Sequence, residues 1–185
     1  MTEKTLFAGF GGQGIISLGQ IWVYCGMKEG KEVCFFPFYG AEKRGGIARA
    51  NCVVSDDAIA SPIITSATSA VVMNGDSLAV CVETLGDGGL LLVNSSLVQD
   101  ADVEKAVKAS GKGFRVVKVN ATGIADSLGN VKIANMVALG ALARATGALH
   151  LKTLEEILAG FFPGPKAKFI PMNLAAVREG EKAVG

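Results

Sequence analysis

The chain has 185 residues, half of them apolar and 19% charged, with a formal net charge of +1. That length fits one domain able to bury roughly 70% of its unfolded surface, and so even a charge balance excludes a global field that draws the protein to nucleic acid or an anionic membrane. No apolar run approaches the roughly 20 residues a membrane helix requires, and Met1-Thr2-Glu3-Lys4 enters a strand pattern without a signal-peptide core, so a cytoplasmic protein is expected.

In chain order, Lys4 to Phe10 reads as a buried strand ended by a glycine loop, and Gln13 to Met27 as the helix that follows. Val33 to Phe36 and Ile47 to Ser55 are β-branched or aromatic strands, with irregular sequence from Pro37 to Gly46 between them. Ala70 to Met73 and Gly89 to Val93 are further strands, separated by a helix-compatible segment from Ser77 to Leu85 and a turn at Asp87-Gly88-Gly89. A helix from about Gln99 to Ala109 precedes a last strand, Phe114 to Val119. The remainder reads as helical: Asn130 caps a helix over 131–146 with Gly147 at its far end, and Lys152 to Ala159 and Pro171 to Glu179 form two more, each followed by a glycine. Phe161 to Pro165 reads as a loop. This order predicts an α/β fold: a single Rossmann-like domain over residues 1–185, its mostly parallel sheet covered by helices on both faces, with a helical C-terminal region.

Gly9, Gly11 and Gly14 satisfy the G-x-G-x-x-G spacing, in which absent side chains let backbone N–H groups and a helix N-terminus approach a phosphate. The candidate contacts are Gly11, Gly12, Gln13 and Gly14. A dinucleotide reading also requires a carboxylate at the end of the second strand; here Cys34-Phe35-Phe36-Pro37 stands there and Glu32 comes before it. Packing is the competing explanation, because Gly12, Gly19 and Gly26 recur every seven residues. Residues 10 to 27 carry no charged side chain, so the helix is expected to be covered by the sheet on one side and by another helix or a partner on another.

The segment from Tyr39 to Gly46 mixes an aromatic ring, opposite charges and paired glycines. Arg44 offers a planar fork to a carboxylate or phosphate, Glu42 can orient it, and Gly45 and Gly46 permit close approach. A surface loop with a local Glu–Arg pair is the plainer alternative. Cys25, Cys34, Cys52 and Cys81 form no C-x-x-C pair and lie in apolar stretches, which favours buried free thiols over metal ligands. His150 is read as a surface or packing residue, Asn135 as the partner of a buried backbone group ahead of a ligand role, and Lys166, Lys168 and Arg178 as a solvated face ahead of contacts to a ligand phosphate.

Gly9-Phe10-Gly11-Gly12-Gln13-Gly14 followed by Tyr39-Gly40-Ala41-Glu42-Lys43-Arg44-Gly45-Gly46 resembles the paired G-x-G-G-Q-G and Y-G-x-E-x-R-G-G motifs of the gamma subunits of 2-oxoacid:ferredoxin oxidoreductases. The likeness continues through Ser61-Pro62, Asn74, Asn94-Ser95 and Asn135 to Gly140. It implies a subunit, not catalytic alone, of an enzyme that oxidatively decarboxylates pyruvate, 2-oxoglutarate, ketoisovalerate or a related 2-oxoacid to an acyl-coenzyme A and reduces ferredoxin. It further implies thiamine diphosphate and iron–sulfur clusters on alpha, beta and delta-type partners, with Gly11 to Gly14, Tyr39, Glu42, Arg44, Gly45 and Gly46 near the thiamine site and in reach of coenzyme A. Gly86-Asp87-Gly88 opens like a thiamine–metal signature, but lacks its asparagine and reads as a turn. A free-standing dinucleotide-binding protein and a purely structural subunit are the two other readings.

Overall fold

The computed structural model describes residues 1–38 and 46–184. The strands are β1 (Thr2–Phe10), β2 (Glu32–Phe38), β3 (Ile47–Ser55), β4 (Ala67–Val72), β5 (Leu85–Asn94) and β6 (Arg115–Val119). The α-helices are α1 (Ile15–Lys28), α2 (Leu78–Thr84), α3 (Asp100–Ser110), α4 (Ala121–Ser127), α5 (Ala134–Thr146), α6 (Leu151–Phe161) and α7 (Ile170–Lys182). The sheet runs β2-β3-β1-β4-β5-β6.

Consecutive apolar residues fill the central strands because both sheet faces are covered. In β1, Phe7 joins a core with Trp22 and Leu142, while Leu6 and Ala8 point the other way into a core with Cys81, Leu91 and Val103. The first core lies under α1 and α5 and the second under α2 and α3, as the alternation of strand side chains demands.

The sheet is mostly parallel, β1 with β4, β4 with β5 and β5 with β6. The departure from a plain Rossmann order is at the other edge. The connection through α1 carries the chain past one strand position, and β3 returns into that gap antiparallel to both β1 and β2. Glu32 therefore opens β2 opposite Ser55, which also pairs Thr2 at the start of β1, so its carboxylate is at the sheet edge away from the glycine loop.

Gly19 and Gly26 face inward: a Cβ on Gly19 would overlap Phe35 and Cys52, and one on Gly26 would overlap Val33 and Val54. Helix α1, uncharged up to Met27, thus lies on the β2–β3 hairpin, and its remaining cover comes from α5 and α6 of the same chain. Trp22 is fully buried there with its indole N–H unpartnered among the described residues. An orphan donor of that kind costs about 1–3 kcal/mol; the ring nevertheless packs edge-on to Phe7 with centroids 6.4 Å apart.

Several boundaries differ from the sequence reading. Gly160 lies inside α6 and Gly180 inside α7. Gly180 does not end its helix because it sits where α7 crosses α5: a Cβ there would strike the Val137 carbonyl, and one on Gly140 would strike that of Val177. The segment after Phe162 is a 3-10 turn over Gly164–Phe169, and α4 carries no apolar periodicity that announced it. The turn at Asp87 to Gly89 is a bulge within β5, where the register jumps between Ala67–Leu85 and Ser69–Leu90. Gly147 closes α5 in the left-handed conformation, as expected.

Candidate functional site

The glycine loop leaves β1 at its C-terminal end, beside the end of the parallel strand β4, where parallel sheets gather their ligands. Gly12 and Gly14 have φ of 95° and 74°, a region that side chains with a Cβ rarely adopt. Gly9 is required for space, since a Cβ would overlap Gln13, Ile15 and Met73. Gln13 is the clasp. Its Oε1 accepts from the Phe10 N–H at 2.7 Å and from Asn74 Nδ2 at 3.1 Å, and its Nε2 donates to the Met73 carbonyl at 3.3 Å.

The strand ends hold that clasp. Asn74 accepts from the Ser77 N–H, and Asn94 donates to the Met73 carbonyl and to Thr122 Oγ1 while accepting from the Thr122 N–H. Asn74 and Asn94 are buried, so these bonds fix the β4 and β5 ends in a low-dielectric setting where an unmatched amide is costly. Asn135, at the start of α5, donates to the Gly14 carbonyl at 3.4 Å and accepts from the Met136 N–H. It is the backbone partner the sequence anticipated.

What stays unengaged is the backbone of Gly11 and Gly12, both exposed, whose N–H groups make no hydrogen bond among the described residues. Gly12 and Gln13 border a cavity of about 240 Å³ whose other walls are Met73, Leu97, Thr122, Lys132 and Asn135. A second cavity, of about 310 Å³, adjoins it across Lys132 and Asn135 and reaches Phe162, Lys166, Phe169 and Asn173. Nothing in the sequence periodicity pointed to this second cavity.

Of the second candidate loop, only Gly46 belongs to the described residues, half-buried just ahead of β3; Tyr39, Glu42, Arg44 and Gly45 lie outside them. The register fixes where that loop begins and ends: Phe38 pairs with Arg49, and Ile47 with Phe10 beside the glycine loop. Both candidate loops therefore spring from one edge of the sheet. On the hairpin face turned from α1, Phe36 and Phe38 meet edge-to-face at 4.8 Å and Arg49 lies 5.4 Å from the Phe38 ring centre. Phe36, Phe38 and Ile47 remain 40%, 38% and 37% exposed.

The other candidates resolve simply. Burial pushes the Cys25 and Cys81 thiols up to about 12 and that of Cys52 well above its ordinary value, so these side chains resist becoming the thiolates a metal needs. Among the described residues no His, Cys, Asp or Glu cluster could hold a metal ion. Asp87 accepts from the Gly113 N–H at 2.7 Å, which ties the β5 bulge to the segment ahead of β6. His150 is exposed ahead of α6. Arg178 is paired with Glu155 at 2.6 Å and Lys168 lies over Phe169; Lys166 is exposed, as expected of a solvated face, and also lines the larger cavity.

Comparison with known proteins agrees with this geometry. The pyruvate/ketoisovalerate oxidoreductases common subunit gamma of Thermococcus kodakarensis is 35% identical over 161 residues, covering 85% of each chain. The chain spans only 35% of the length of the ketoisovalerate oxidoreductase subunit VorA of Methanothermobacter thermautotrophicus, to which it is 32% identical over 178 residues. Among solved structures, the pyruvate oxidoreductase subunit PORC of Thermotoga maritima is 31% identical with a TM-score of 0.80, covering 98% of this chain and 96% of that one. A 2-oxoglutarate:ferredoxin oxidoreductase from Magnetococcus marinus, solved with 2-oxoglutarate, coenzyme A and succinyl-CoA bound, shares the fold at 23% identity and a TM-score of 0.81, over 100% of this chain and 32% of that one. The family model described as pyruvate ferredoxin/flavodoxin oxidoreductase matches residues 4–183, and the chain belongs to that family.

Proposed function

We propose that the chain works as the gamma subunit of a cytoplasmic 2-oxoacid:ferredoxin oxidoreductase. In this reading, alpha, beta and delta-type partners carry thiamine diphosphate and the iron–sulfur clusters, and the complex converts a 2-oxoacid and coenzyme A to acyl-coenzyme A and carbon dioxide while reducing ferredoxin. Thiamine would supply the carbanion chemistry on the partner. This chain's residues position and cover. The observation that carries the reading is the meeting, at one sheet edge, of the unengaged Gly11 and Gly12 amides with the root of the Tyr39 to Gly46 loop. Amides in a shape fixed by Gln13, Asn74 and Asn94 suit the phosphates or amide groups of coenzyme A, and Arg44, Glu42, Tyr39, Gly45 and Gly46 would close over the same ligand.

The half-exposed Phe36, Phe38 and Ile47 beside that edge favour a partner subunit as their cover, since a cluster of large apolar side chains suits burial in an assembly. A dinucleotide-binding role fits less well, because β3 occupies the place of the neighbouring parallel strand and Glu32 is at the wrong edge. Among the described residues no helix is long and apolar enough to cross a membrane.

The decisive experiment is purification of the native complex followed by 2-oxoacid- and coenzyme A-dependent viologen reduction. Turnover should require this chain, and Arg44→Ala should lower coenzyme A-dependent rates in a complex that still assembles. Failure of Arg44→Ala to assemble would make the loop an interface device. Tight NAD or FAD binding by the isolated chain, with no contribution to 2-oxoacid turnover, would overturn the proposal.

A further inference from the structure

The larger cavity, between the start of α5, the start of α7 and the segment joining α6 to α7, has the makings of a ligand site separate from the glycine loop. Its about 310 Å³ falls at the lower bound of small-ligand pockets. Two lysines, Lys132 and Lys166, reach it from different elements, neither is in an ion pair among the described residues, and no carboxylate lines it. Exposed lysines alone would mean little.

The independent observation is Asn173. It is only 5% exposed, it lines the cavity from the first turn of α7, and among the described residues its side-chain amide makes no hydrogen bond. Its neighbour Asn135, equally buried, has both amide atoms engaged. Buried polar groups are matched with high regularity, so an amide that turns to the cavity with no protein partner is open to whatever fills it, water or ligand. Phe162 and Phe169 line the same space, with Lys168 standing over one face of the Phe169 ring.

We propose that this groove binds a phosphate-bearing ligand with a planar base, with Lys132 and Lys166 on the phosphate, Asn173 on the edge of the base and Phe162 and Phe169 against its face. The chemistry is that of a nucleotide phosphate, and two sources present it: the nucleotide end of coenzyme A or a free nucleotide. The first would extend the proposed function; the second would be a separate regulatory ligand.

Calorimetry with ADP, coenzyme A and inorganic phosphate, on the purified full chain and on the assembled complex, tests this. Expected is salt-sensitive binding of ADP and coenzyme A, weakened tenfold or more in Lys132→Ala/Lys166→Ala and in Asn173→Leu, with Lys105→Ala on α3 as an unaffected control. Circular dichroism melting confirms that each variant is folded. Tighter binding of coenzyme A than ADP identifies the first source, and equal binding the second. Equal affinity for inorganic phosphate and ADP overturns the base-binding part. Absence of binding to chain and complex, occupancy by water alone in a structure soaked with ADP, or affinity indifferent to all three substitutions overturns the whole. A complex that turns over 2-oxoacids without this binding keeps the proposed function and loses this site; a chain that binds ADP through Lys132 and Lys166 yet adds nothing to turnover does the reverse.

Discussion

The glycine loop after β1 and the groove between α5 and α7 share a wall, Lys132 and Asn135, yet they are built on opposite plans. In the loop, side chains turn inward: Gln13 and Asn74 bind each other, and Gln13 and Asn94 both bind the Met73 carbonyl, leaving bare backbone to face outward. In the groove, backbone is hidden by two tightly crossed helices, and side chains turn outward, Lys132, Lys166 and Asn173 among them. A recognisable motif thus marks where the chain requires an unusual backbone, and a site made of side chains on regular helices leaves no comparable mark. Each plan rests on its own glycines, which makes the two separable by experiment.

The largest effect is expected at the helix crossing. A Cβ on Gly140 or Gly180 meets a backbone carbonyl of the opposite helix, which cannot swing aside as a flexible side chain would. Alanine gains about 1 kcal/mol in helix propensity over glycine, but forcing packed backbones apart costs about 3 kcal/mol, so the clash wins. Gly140→Ala and Gly180→Ala should each lower the urea midpoint by a net of about 2 kcal/mol in unfolding free energy. They should also open the groove wall while leaving the Gly12 loop intact. An unchanged or raised midpoint would mean that the crossing is looser than it looks and does not set the groove's shape.

A smaller effect is expected in the loop, and there the two glycines should differ. Gly12→Ala faces only the left-handed backbone penalty, about 1–2 kcal/mol, because a Cβ at that position meets nothing within 4 Å. Gly14→Ala carries the same penalty and also drives a methyl into the Asn135 amide, breaking its bond to the Gly14 carbonyl, for a total of about 2–3 kcal/mol. Denaturation of the two variants side by side measures the difference. Equal losses would show that Asn135 does not brace the loop, and the shared wall between loop and groove would lose its meaning.

How much of this was legible in the sequence follows the same division. Buried strands announced themselves through runs such as Leu6-Phe7-Ala8, and Gly12 and Gly14 through spacing, because both are local consequences of chain chemistry. The return of β3 between β2 and β1 was not legible, since a hairpin whose strands end at Phe38 and resume at Ile47 carries no short turn signal and pairing is a long-range choice. Gly180 looked like a helix end because glycine ends helices more often than it permits crossings. Gln13 reads in the sequence as a ligand donor, and its bonds to Phe10, Met73 and Asn74 are long-range or loop contacts that spacing does not announce. Asn173 and Lys166 stood 38 and 34 residues beyond or after unrelated segments such as Asn135 and Lys132, and only folding brings those four together.

The smallest effect belongs to neither region and serves to calibrate both. At the opposite sheet edge the Asp56 carboxylate receives hydrogen bonds first from Lys31 and then from the terminal ammonium, each at 2.6 Å, which hold its pKa at about 2 against an ordinary 3.8. A carboxyl whose folded-state pKa is lowered contributes its stability in full above the ordinary value, and the contribution is lost as pH falls from 3.8 through about 2. The thermal midpoint of the native chain should therefore exceed that of Asp56→Asn slightly at neutral pH, and the gap should close on acidification across that window. Added salt should narrow it too, because the pair is exposed and readily screened. Nucleotide binding should be untouched throughout. A gap of undiminished size once pH has fallen through about 2 would show that the charge of the Asp56 carboxylate is not its source, since the bond from the Asp56 N–H to the Met1 carbonyl is common to both chains.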